Sequence, residues 1–167
     1  ACTMDQMVGL VTMKDQVGTY GTYEELNRTW VDTVPEFKSG DSLTGTWTDD
    51  FHYKNGLLGI DYTATTEGAG GWIPATEDYD SPWGDMLVTG RVMPEPAENV
   101  KEDHSYPQDW RTEIYYERSN GNIVHLAAMW REASFGSIDH TDDIAQRSLL
   151  NGLKDWDAES DKACESR

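Results

Sequence analysis

The side chains best equipped for proton transfer are His52, His104, His125 and His140, with Asp49, Asp61 and Glu113 as the carboxylates on nearby strand-like stretches. A histidine held against a carboxylate inside a cavity performs general acid–base catalysis, because its proton affinity lies close to neutral pH. His125 or His52 with Asp49 or Glu113 would serve a cofactor-independent enzyme of the isomerase or dehydratase type, provided the strands bring them together. Against that, each histidine reads better as a structural residue satisfied within the fold. No two stand in H-x-x-x-H or H-E-x-x-H spacing, so a local zinc signature is missing. A Gly-x-Ser-x-Gly elbow is missing too, and the glycines of "EGAGG" at 67–71 match neither a phosphate loop nor a dinucleotide fingerprint.

A second group of residues points to surface binding. Trp72, Tyr79 and Trp83 alternate with Glu77, Asp78, Asp80 and Asp85 in a Gly- and Pro-containing segment. Rings beside carboxylates suit a sugar or a cationic ligand, and carboxylate oxygens are hard ligands suited to Ca²⁺. The spacing is not that of an EF-hand loop. The plainer reading is a solvated acidic loop with its rings packed down.

A third group suggests a pocket. In "SLTGTWTDDFHY", residues 42–53, one side carries Leu43, Gly45, Trp47, Phe51 and Tyr53, and the other Ser42, Thr44, Thr46, Thr48, Asp50 and His52. Such alternation is that of a half-buried strand. Together with Ile60, Tyr62, Tyr115 and Met129, Trp47, Phe51 and Tyr53 could wall a site for a small apolar or aromatic molecule. Asp49 breaks the pattern. A carboxylate among rings must find a partner or stay protonated. The strand leaves the core at Asp49, or Asp49 lines a wet cavity; the first is the preferred expectation.

Several elements must position these residues. Thr3 followed by Met4, Met7, Val8 and Val11 predicts a helix over 3–17. Thr22 and Glu25 make a T-x-x-E capping box ahead of Leu26, Trp30 and Val34, which predicts a second helix over 22–34, ended by Pro35. Past Gly40 the period becomes two, and strands are expected at 43–53, 57–66, 86–93, 111–118 and 123–133. Asn55-Gly56 and "SNGN" at 119–122 mark hairpin turns, so the pairing is antiparallel. The stretches 67–85 and 94–109 read as long irregular loops, with a further strand near 72–76 as an option. A last helix over 141–157 is capped by Thr141 and carries Ile144, Leu149, Leu153 and Trp156 on one stripe.

Gly45-x-Trp47 resembles the opening of the first barrel strand in lipocalins and their calycin relatives. Arg131 stands near the end of the last predicted strand, followed by a helix, and the resemblance implies that its guanidinium packs across the Trp47 ring. It also implies a closed antiparallel barrel around a small hydrophobic ligand. The likeness extends over about 43–157. The helical segment over 1–34 departs from it and suits a cone-shaped α+β roll better.

Composition narrows the rest. The chain has 167 residues and a net charge of −18, from 31 acidic and 13 basic side chains. Phosphate backbones bind through Lys and Arg, so nucleic acid and anionic membranes are discounted as partners, and no apolar run approaches the ~20 residues of a membrane span. Cys2 and Cys164, one near each end, are expected to form a disulfide in a secreted protein. "ACTMDQ" reads as a mature N-terminus after leader removal, and Asn27-Arg28-Thr29 is a glycosylation sequon.

The sequence therefore predicts a single domain over 1–167: a mainly β fold with an antiparallel, strongly curved sheet or closed barrel (43–133), flanked by N-terminal (1–34) and C-terminal (141–157) helices. The leading functional expectation is a secreted, acidic, non-enzymatic binder of a small apolar or aromatic ligand. It requires no cofactor, apart from Ca²⁺ if the acidic loop binds it. The alternatives are the small enzyme, a carbohydrate- or calcium-binding surface module, and a self-associating structural protein, homo-oligomeric or larger.

Overall fold

A computed structural model describes residues 2–13, 16–17, 23–31, 44–55, 60–73, 86–100, 103–139 and 141–166. Helix α1 (Met4–Thr12) is followed by six strands, β1 (Tyr23–Trp30), β2 (Thr44–Asn55), β3 (Ile60–Ile73), β4 (Met86–Val92), β5 (His104–Glu117) and β6 (Ile123–Phe135), and then by α2 (Asp143–Glu165). The strands form one antiparallel meander in chain order. The fold is mainly β with a helix at each end, and the sheet is open: β1 and β6 are its two edges and do not pair with each other.

The helix expected over 22–34 is instead strand β1 as far as Trp30. Leu26 and Trp30 are four apart, a spacing that satisfies a helix and, being even, also a strand. Arg28 decides between them: it is buried between these two on the same face and lies opposite Asp49 of β2. The expected loops also shorten. Residues Glu67–Ile73 belong to β3, and β5 begins at His104. The glycines that suggested a loop have a packing purpose. Gly68 and Gly70 sit beneath the Trp47 indole; a Cβ on Gly68 would overlap that ring, and one on Gly70 would lie 3.1 Å from it. Pro107, which cannot donate a ladder bond, falls within the β5 irregularity between Ser105 and Gln108. Gly121, at φ +81°, closes the expected Ser119–Asn122 turn, with Arg118 and Asn122 joined by a 2.9 Å backbone bond.

Thr3 caps α1 as expected, and Gln6 completes a capping box with it. The helix buries Met4, Met7, Val8 and Leu10 against Trp72, Leu87 and Tyr115, each such side chain being worth about 1.5–3 kcal/mol on burial. Asp142, rather than Thr141, stands at the N-cap position of α2, where its side chain makes no capping bond, and the helix runs past residue 157 to Glu165. Its buried face is Ala145, Ser148, Ser160 and Cys164. Those small residues admit close approach, while Ile144 and Leu153 of the expected stripe are 69% and 37% exposed. Cys2 and Cys164 form the expected disulfide and join the two helices, with Cα atoms 5.5 Å apart.

Three layers cross the inner face of the sheet. Trp30, Trp47, Trp72, Leu87, Tyr115 and Ile123 form one apolar end, beneath α1. Tyr23, Leu26, Phe51, Tyr62, Met93, Tyr106 and Phe135 form the other. Between them runs a polar waist, and the candidate site lies there.

Candidate functional site

Strand register builds the waist. Arg28 pairs across β1–β2 with Asp49, and Asp49 in turn faces Thr66 of β3. Arg91 of β4 lies directly opposite Arg111 of β5, and Asp109 lies opposite Arg131 of β6. Asp49 is therefore neither a point of exit from the core nor the wall of a wet cavity. It is 0% exposed and accepts two bonds from Arg28, Nε at 2.7 Å and Nη2 at 2.8 Å, and a third from Trp47 Nε1 at 3.2 Å. A buried ion pair is tolerable only when its remaining hydrogen-bonding capacity is also used. The Arg28 Nη1 accordingly donates to the Val11 carbonyl at 2.6 Å, tying α1 to the sheet.

The guanidinium over the Trp47 ring is that of Arg28, 4.9 Å from its centroid, and not Arg131 as the lipocalin resemblance implied. Arg131 instead reaches Asp109 at 3.3 Å and lies 4.9 Å over Tyr106. Burial pushes the Tyr62 and Tyr106 phenols well above their ordinary range, with the Arg131 charge opposing the shift.

Beside this network is a cavity of about 50 Å³. Tyr23, Trp47, Tyr115 and Trp156 supply its rings, and Gln16, Arg28, Thr89, Arg91, Arg111 and Glu113 its polar groups. Arg91 Nη1 donates to the Tyr23 phenol oxygen at 3.3 Å. Arg111 Nη1 reaches Glu113 at 3.4 Å, and the Tyr115 hydroxyl donates to the same carboxylate at 3.3 Å. The Arg111 guanidinium also stacks 5.4 Å from the Trp156 ring of α2. The Nε atoms of Arg91 and Arg111 are both buried and have no hydrogen-bond partner among the described residues.

The residues named from the sequence separate into several places. Trp47, Tyr115 and Glu113 line the cavity. Phe51, Tyr53 and Tyr62 share the inner face but pack on one another, with Tyr53 stacked on Tyr62 at 5.1 Å. Met129 is half-buried opposite Arg111, and Ile60 opens β3 opposite Asn55. His125 stacks on Tyr115 at 4.4 Å and bonds Asp157 of α2 at 3.1 Å. His52 lies on the outer face of β2, between Glu24 and Asp61. Strands β2 and β6 are not neighbours, so the two histidines are not brought together. His104 meets Asp103 at 2.6 Å.

Trp72 is not part of a surface loop: it is 2% exposed at the end of β3. Tyr79, Trp83, Glu77, Asp78, Asp80, Asp85 and His140 lie outside the described residues. Among the described residues, no three His, Cys, Asp or Glu side chains are grouped to hold a metal, and no helix is long and apolar enough to cross a membrane. Asn27 is exposed on the outer face of β1. There it borders an open cleft of about 510 Å³ with Glu25, Asp50, His52, Thr63, Thr65, Glu95 and Glu98.

Sequence reading missed Arg28, Arg91, Arg111, Thr89, Gln16 and Trp156 as site residues. A signal for the arginines was present. Arg28 shares parity with Leu26 and Trp30, and Arg91 with Leu87 and Met93. An arginine at an apolar strand position announces a buried charge in need of a partner.

Protein-family models, curated proteins and solved structures were all compared with the chain, and none matches.

Proposed function

We propose that this chain is a secreted, non-enzymatic binding protein that holds a small molecule against the inner face of its sheet, in the cavity between Arg91, Arg111, Trp47 and Trp156. One observation carries the reading. The residues around the cavity combine aromatic rings with two arginines whose Nε–H groups have no acceptor among the described residues, and apolar walls with a few convergent polar groups are the usual make-up of a small-molecule site. The disulfide supports the extracellular setting. The ligand expected from the sequence was apolar or aromatic. The polar lining and small volume favour instead a compact molecule with a polar head, set against rings.

Thermal-shift screening of the whole chain against a library of small polar molecules tests this directly. Saturable stabilisation by a member of the library, lost in Trp156→Ala, is the expected result. No stabilisation by any member would remove the proposal.

A further inference from the structure

We infer that the molecule held in this cavity is a small carboxylate carrying one negative charge, bridging Arg91 and Arg111; this rests on the cavity being a binding site. The inward-facing strand positions of the waist carry four guanidinium groups, Arg28, Arg91, Arg111 and Arg131, against three carboxylates, Asp49, Asp109 and Glu113. Asp49 takes Arg28, Asp109 takes Arg131 and Glu113 takes Arg111. Arg91 is left with the Tyr23 hydroxyl, and among the described residues no carboxylate stands within ion-pair distance of it. Among the described residues the waist of this chain of net charge −18 thus holds one more guanidinium than carboxylate, and Glu113 and Asp109 act on Arg91 only at longer range.

The register sharpens the point. Arg91 and Arg111 are direct cross-strand partners, and like charges directly opposite each other repel. Both arginines line the cavity, so an anion held there converts that repulsion into charge-assisted hydrogen bonds to each guanidinium, and among the described residues neither Nε–H has another acceptor. One spare positive charge calls for a monoanion. The Glu113 carboxylate, already engaged by Arg111 and Tyr115, disfavours a dianion. Size agrees: about 50 Å³ holds roughly three or four water-sized groups, the bulk of formate or acetate.

The test titrates the whole chain with acetate, its neutral isostere acetamide, and sulfate, at constant ionic strength. It reads melting temperature and the line width of ¹³C-labelled acetate. Acetate is expected to bind saturably with a dissociation constant of about 1 mM, as few-atom ligands do, while acetamide has no effect and sulfate binds more weakly. Arg91→Gln should weaken acetate at least tenfold, and Arg111→Gln gives a separate arm should the first variant not fold. Arg118→Gln, at an exposed turn, should leave binding unchanged. Equal binding of acetamide and acetate would overturn the carboxylate assignment and leave the binding reading intact. Tighter sulfate binding, or an acetate effect that neither saturates nor responds to the cavity variants, would also overturn it. Failure of all three probes and of the wider library would remove both proposals.

Discussion

Replacing Asp49 by Asn keeps the shape of the side chain and removes its charge, leaving Arg28 buried and unpaired. Arg28 is 5% exposed and Asp49 0%, so neither group can recover its hydration without opening the sheet. Breaking a buried pair on one side costs about 3–5 kcal/mol, which lowers the folded-to-unfolded ratio by roughly 10²–10⁴. For a chain of this size about 2–4 °C of melting temperature accompanies each kcal/mol, so Asp49→Asn should melt about 6–20 °C lower. The assay is urea unfolding followed by circular dichroism, in which the midpoint falls while the slope stays constant. Arg28→Met should lose a similar amount, since it strands the carboxylate and frees the Val11 carbonyl on α1. The double variant Arg28→Met/Asp49→Leu should return most of the loss, because an apolar pair of similar volume often equals or betters a buried ion pair. Two single losses that simply add in the double variant, or a loss below about 1 kcal/mol for Asp49→Asn, would refute the coupling assigned to this pair.

The remaining predictions follow from other parts of the fold. Gly68→Ala places a methyl group into the Trp47 ring and should cost about 1–3 kcal/mol, read as a lower urea midpoint; an unchanged midpoint would show that the indole moves freely. Removing the Cys2–Cys164 bond by Cys2→Ser/Cys164→Ser should cost about 2–5 kcal/mol. Hydrogen exchange should then quicken in α1 and the end of α2 before it does in the sheet. Tyr62 and Tyr106 keep their phenol protons to higher pH in the fold than in the unfolded chain, because burial raises them. Below the unfolded value near 10 both states hold these protons and stability is flat. Above it the unfolded chain releases protons that the fold retains, so stability falls as pH rises. Tyr62→Phe should flatten that alkaline decline, as measured by urea midpoints between about pH 9 and 11.

Much of the fold was legible in the sequence because a half-buried strand writes its period locally. Trp47, Phe51 and Tyr53 alternate with Thr48, Asp50 and His52, turn chemistry marks the Asn122 hairpin, and Thr3 precedes an amphipathic run. Where two periods coincide, as at Leu26 and Trp30, local pattern chose wrongly, and only the cross-strand partner of Arg28 settled the matter. The glycines of 67–71 looked like a loop because the ring that fills their space lies some twenty residues earlier. Trp47 and Tyr115, named as ligand walls, and Glu113, named as a carboxylate for an enzyme, lie around the cavity, while Phe51 and Tyr62 share their face but belong to the packed end.

The sequence by itself determined the excess of acidic charge, the antiparallel pairing of the strands after residue 43, a helix at each end and the pairing of its two cysteines, since these rest on composition, short-range spacing or count. Tertiary structure alone decided that the sheet stays open, that Asp49 is neutralised by Arg28, and that Arg91 faces Arg111 across a small cavity. Those outcomes depend on register between strands, and register is fixed by the summed packing of a whole face rather than by any residue's neighbours in the chain.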